Sequence, residues 1–198
     1  MVDENYLIAA HEVGHQLIGK ARGLAITTIS IRRGRELNPV ASYDPTQPMP
    51  TDDQMLEILL AGWAGEAYIL SHPRHCQHFD TRLFLAKIPD GRSGTGWPWA
   101  LLTGGGSDFG RISRLRGKRL RALFPNRILT TIAGEIHDKR DRFFEIVDRL
   151  VDQKLLTADV FNALADGENW SIEMQQQSVS ANYDHDLKYF YPKDQLSD

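Results

Sequence analysis

His11 and His15 stand four residues apart, with Glu12 beside the first of them, in His11-Glu12-Val13-Gly14-His15. On a helix this spacing projects both imidazoles from one face, one turn apart. There they can share a single zinc ion at its short Zn–N distances. Glu12 is then placed to take a proton from water activated by that ion. Leu7, Ile8 and Ile18 fall within about a quarter turn of the two histidines, so the pair belongs to the apolar stripe rather than the wet face. A buried histidine more often satisfies a core hydrogen bond. Two imidazoles and a carboxylate on an apolar face, however, are costly without partners, and a metal removes that conflict.

A zinc hydrolase needs a third protein ligand and an open fourth position. The extended metzincin pattern requires another histidine six residues after His15, where this chain has Ala21; that class is excluded. On sequence alone Glu36, Glu57, Glu66, Asp80 and Asp108 remain as carboxylate candidates. His72, His75, Cys76 and His78 form a second run of ligand types, for which a solvated loop is the simpler reading.

The elements that must position these groups can be read in turn. Asp3 is an N-cap for a first helix to about Ala21, stopped by Gly23. Ile26–Arg33 alternates apolar and polar residues with β-branched enrichment, the pattern of a half-buried strand. A second short strand is expected near Val40–Tyr43, and Pro45–Pro50 reads as a loop. Thr51 caps a helix to Leu70, with Asp52 and Asp53 in its first turn. Gly62, Ala64 and Gly65 give that helix a small-residue surface suited to close helix packing, and Glu66 sits within it.

Ser71–Thr103 reads as an inserted loop with one short helix near Phe79–Ala86. Gly104–Gly106 is a hinge, with Ser107 capping a helix from Asp108 to Leu123 that carries a solvated basic face. The lysine and Ser/Thr of a phosphate-binding loop are missing there. A long amphipathic helix is expected from Arg127 to Gln153. Leu155–Thr157 reads as a turn, and Thr157 caps a last helix to Leu164, ended by Gly167. Together these predict a mainly α (α+β) domain over residues 1–166 with a small β-sheet or hairpin. A polar C-terminal tail follows over 167–198, with aromatics at Tyr189–Tyr191.

Composition narrows the setting. In 198 residues, 41% hydrophobic and 25% charged, there is material for one sizeable core. A net charge of −3 argues against general affinity for nucleic acid or anionic membrane. The single cysteine, Cys76, excludes an internal disulfide and is compatible with a reducing compartment. Neither a signal peptide nor a run long enough to span a bilayer is visible, so a cytoplasmic location is expected.

The block Ala9-Ala10-His11-Glu12-Val13-Gly14-His15-Gln16-Leu17-Ile18-Gly19 resembles the metal helix of the FtsH-type ATP-dependent zinc proteases. Arg33-Gly34-Arg35 and Ala61-Gly62-Trp63-Ala64-Gly65-Glu66 are similar to that family's next blocks, in the same order. Gly106-Ser107-Asp108-Phe109 resembles the segment that carries its third zinc ligand, and Leu155–Leu164 its last helix pair. The resemblance spans about Asp3 to Leu164. It implies His11, His15 and Asp108 as zinc ligands, Glu12 as general base, and Glu66 as a carboxylate orienting a ligand histidine.

Departures include Trp63 where an arginine is common, a longer Ser71–Thr103 segment, and no counterpart of the ATPase and membrane segments. The expectation is a zinc-dependent, ATP-independent endopeptidase acting on unfolded or flexible polypeptide, served by a separate ATPase or self-association if it needs one. Ile26–Arg33, if a free edge, would hold the peptide by β-augmentation. The alternative is a non-catalytic regulatory or adaptor protein that keeps the fold and binds a protein partner. Glu12 argues for the enzyme, since a structural zinc site has no use for a base.

Overall fold

Asp3 starts the first helix by accepting the Asn5 N–H at 2.9 Å on its Oδ1, and α1 runs Glu4–Ala21. Gly23, at φ +85°, takes the left-handed conformation that ends it. The computed structural model describes residues 3–31, 40–44, 46–48, 50–88 and 126–167. Within these, β1 (Ile26–Ser30), β2 (Val40–Tyr43) and α2 (Asp52–Ser71) follow α1. Next come α3 (Thr81–Leu85), α4 (Asn126–Asp138), α5 (Arg140–Gln153), β3 (Leu155–Thr157) and α6 (Ala158–Asp166). The protein is mainly helical with a small antiparallel sheet, and no helix among the described residues is long and apolar enough to cross a membrane.

A capping box starts α2: Thr51 Oγ1 accepts the Gln54 N–H, and Gln54 Oε1 accepts the Thr51 N–H at 3.0 Å. α1 and α2 form the most extensive helix pair of the described fold, and small residues set how closely they approach. A Cβ at Gly14 would lie 2.3 Å from the Ala61 carbonyl oxygen, and one at Gly65 would lie 2.3 Å from that of Ala10. Backbone therefore rests on backbone at two points of the crossing, which only glycine permits. Around this pair, α4 buries Leu129, Ile132 and Ile136, while α5 buries Phe143, Ile146, Val147 and Leu150. Arg22, just past α1, ties three helices. Its Nε donates to Glu57 of α2 at 2.5 Å, and its two terminal nitrogens donate to Glu135 of α4.

Two expectations about elements are corrected. Leu155–Thr157 is a strand, not a turn, pairing antiparallel with β1 so that Ile29 faces Leu156. A three-residue strand is too short to show a period, and its pairing partner lies more than 120 residues away. Consequently β1 is the centre of a β2-β1-β3 sheet and not a free edge; both sides of its backbone are already bonded. The single long helix expected over Arg127–Gln153 is two. Lys139 leaves helical geometry at φ −109°, ψ 21°, yet the apolar stripe continues across the break with no proline or glycine to mark it.

The first part of the expected insertion folds back onto α2. His72 is buried, stacked on Tyr68 with ring centroids 5.0 Å apart, and its Nε2 accepts the Asp80 N–H at 2.8 Å. Asp80 in turn caps α3 by accepting from the Arg82 and Leu83 amides. The hinge 104–106, the helix expected from Asp108 to Leu123 and the tail from 168 onward lie outside the described residues.

Candidate metal centre

The α1–α2 crossing carries a column of functional groups on each helix. On α1, His11 and His15 face α2 and are 1% and 5% exposed. On α2, Ile58, Gly62 and Glu66 repeat every four residues, so they line one face. The columns meet group for group. His11 Nδ1 donates to Glu66 Oε1 at 2.5 Å, and His15 Nδ1 donates to the Ile58 carbonyl at 2.7 Å.

These bonds set the tautomers. A carbonyl oxygen only accepts, so His15 carries its proton on Nδ1. The Glu66 carboxylate does the same for His11. With both Nδ1 atoms donating, the two Nε2 atoms face one another 3.0 Å apart. Between two neutral rings these would be opposed lone pairs, so the contact calls for a cation between the nitrogens, either a proton carried by one ring or a metal ion. For nitrogens about 2.0–2.1 Å from a common zinc ion, a 3.0 Å separation corresponds to an N–Zn–N angle of roughly 94°, open to a tetrahedral value by a small ring movement. Gly62 supplies the room. A Cβ there would sit 2.6 Å from His15 Nε2 and 2.7 Å from His11 Nε2. The donor set and the cradle fit a metal ion.

Glu12 follows His11 directly on α1 and is 4% exposed; Glu66 is 6% exposed. Of the five carboxylates open on sequence, Glu57 is engaged by Arg22 and Asp80 caps α3. Glu66 bonds the far nitrogen of His11, while Glu36 and Asp108 lie outside the described residues. Among the described residues, no three histidine, cysteine, aspartate or glutamate side chains converge as a ligand set. The second histidine run does not assemble either. His72 is a core residue, whereas His75 and His78 are exposed. A surface groove of about 480 Å³ lined by Arg74 and by Asp141, Glu145, Asp148, Arg149 and Asp152 of α5 contains none of these groups.

Gly62 and the Ile58 carbonyl were not singled out by the sequence reading as parts of the site. The signal that could have found them is the i, i+4, i+8 spacing of Ile58, Gly62 and Glu66, which matches the four-residue spacing of the histidines. No protein-family model matches this chain, and no curated protein matches it.

Proposed function

We propose that this chain is a zinc-dependent endopeptidase of the FtsH-like type, acting on flexible or unfolded polypeptide in the cytoplasm. The observation that carries the reading is the pair of Nε2 atoms facing one another 3.0 Å apart over a glycine, each imidazole pinned from behind by a protein acceptor. His11 and His15 would hold the ion, with Asp108 as the third ligand that the family resemblance implies. Zinc, when bound, supplies Lewis-acid polarisation and lowers the pKa of water toward neutrality.

The chain's own residues supply the rest. Glu66 keeps His11 oriented with its Nε2 toward the ion, and the Ile58 carbonyl does the same for His15. Glu12 accepts the proton of the attacking water, which adds to the peptide carbonyl carbon. As the C–N bond breaks, Glu12 delivers that proton to the leaving amine. Burial of Glu12, the residue after His11 on α1, keeps bulk water from competing for it. An extended peptide added as a strand would pair with the outer edge of β2 or β3, because β1 has no bonding edge left.

Purified protein should hold about one zinc per chain and cleave casein or an unstructured fluorogenic peptide, with cleavage abolished by a chelator and restored by zinc. Zinc bound without any cleavage would overturn the enzyme reading and leave a metal-bearing adaptor. Absence of zinc binding would overturn the enzyme reading and leave an adaptor that keeps the fold without the metal.

A further inference from the structure

We infer that Gln16 is a positioning residue for the Glu12 carboxylate, an inference that rests on the hydrolytic reading above. Gln16 is fully buried on α1, and neither its Oε1 nor its Nε2 has a hydrogen-bond partner among the described residues. A side-chain amide brings two donors and an acceptor into the interior, and native proteins rarely leave such groups unpaired. A methionine or leucine at this position would fill similar space with nothing to satisfy. The amide is therefore a stability liability, and helix geometry names the group it serves.

Gln16 follows Glu12 by four residues, so the two share a side of α1. Helical side chains lean toward the N-terminus, which lays the Gln16 amide over the turn that carries Glu12. One turn the other way stands Lys20, which offers no acceptor. Its Nζ already donates to Asn162 at 3.0 Å and Asp166 at 2.8 Å, both on α6. Glu12 is thus the acceptor on its own helix that Gln16 is built to reach. Across the i, i+4 spacing a rotation of the terminal amide would aim an N–H at the carboxylate and hold it in one rotamer. Being fully buried and unable to accept a proton from the reaction, Gln16 acts through Glu12 and not on the substrate.

The test compares wild type with Gln16→Met, which keeps length and volume but cannot hydrogen-bond. Zinc content and KM should stay within about twofold of wild type. The thermal midpoint should not fall, and kcat should drop about 10–100-fold, the usual effect of removing an orienting partner. A second readout is independent of turnover. The Gln16 side-chain NH2 resonances, assigned by their loss in Gln16→Met, should shift and exchange faster in Glu12→Ala. Unmoved resonances, or unchanged kcat in Gln16→Met of an active wild type, would overturn the inference. So would a fall in midpoint with parallel loss of zinc, which would make the amide a structural group. Resonances that respond to Glu12→Ala in a wild type without peptidase activity would sustain the pairing and sink the hydrolytic reading instead.

Discussion

Gly62→Ala is the most direct test of the α1–α2 crossing as a metal site. The new Cβ would lie 2.6 Å from His15 Nε2 and 2.7 Å from both Nε2 and Cε1 of His11. Comfortable contact between such atoms begins near ~3.5 Å, so each ring has to retreat by roughly 0.8–0.9 Å. Metal–ligand distances tolerate only about 0.2 Å, and both rings are pushed from the same point. Zinc affinity should fall by more than the ~10–100-fold that loss of an outer partner causes. The fold should survive, because the obstacles are side chains that can turn, and overpacking of this kind costs about 1–3 kcal/mol.

Gly14→Ala and Gly65→Ala are the matched controls. Their methyls meet backbone carbonyls at 2.3 Å, which cannot turn aside, so these variants should lose more stability than Gly62→Ala. Competition titration against a zinc chelator, with urea denaturation of the metal-free proteins, reads both quantities. Wild-type zinc affinity in Gly62→Ala would refute the placement of the ion between the two Nε2 atoms. Wild-type stability in Gly65→Ala would refute the close helix approach on which the site is built.

Further outcomes follow from the same geometry. Glu12→Gln should keep its zinc and lose about 10²–10⁴-fold in turnover, because the amide cannot accept the proton; substantial residual cleavage would point to another base. Asp108→Ala should lose most of the zinc and all activity, whereas Glu66→Gln should keep the metal with a loss of about 10–100-fold. The reverse order would exchange their roles. Burial, reinforced by His137 and opposed by Asp80, holds the His72 pKa below its ordinary value. The unfolded chain therefore takes up the proton first. The contribution of His72 is complete above pH ~6.5 and falls as the pH drops below it, by at most about 1.4 kcal/mol per pH unit. Urea titrations from pH 7.5 to 5.5 should show the decline and His72→Gln should flatten it; an unchanged slope would place the acid sensitivity elsewhere.

Local signals carried the parts of the fold that local chemistry decides. Asp3, Gly23, Thr51 and Gly167 mark helix ends through capping bonds and left-handed backbone, and each does so in the structure; Thr157 stands at the N-cap of α6 but makes no side-chain capping bond. The histidine spacing and the small-residue face of α2 were legible for the same reason, since both are periodicities within one helix. What was not legible depends on distant partners. Leu155–Thr157 becomes a strand only because Thr28, Ile29 and Ser30 await it. Lys139 breaks a stripe whose apolar pattern gives no sign of a break, because α4 and α5 bury the same kind of face against the same core.

The glycines explain why helix packing and chemistry cannot be separated in this chain. Gly14 and Gly65 let α1 and α2 touch backbone to backbone, and that contact brings the Ile58 carbonyl and the Glu66 carboxylate within 2.7 and 2.5 Å of the imidazoles. Were the helices separated by the further 1 Å or so that a pair of methyl groups demands, both hydrogen bonds would stretch beyond useful length. The imidazoles would then be free to change tautomer and turn their Nε2 atoms apart. Gly62, one turn from each anchoring group on α2, keeps the remaining space open between the rings. On the proposed reading the close crossing would act on a bound ion through the hydrogen bonds behind His11 and His15, and a substitution that loosens it should weaken zinc binding before it unfolds the protein.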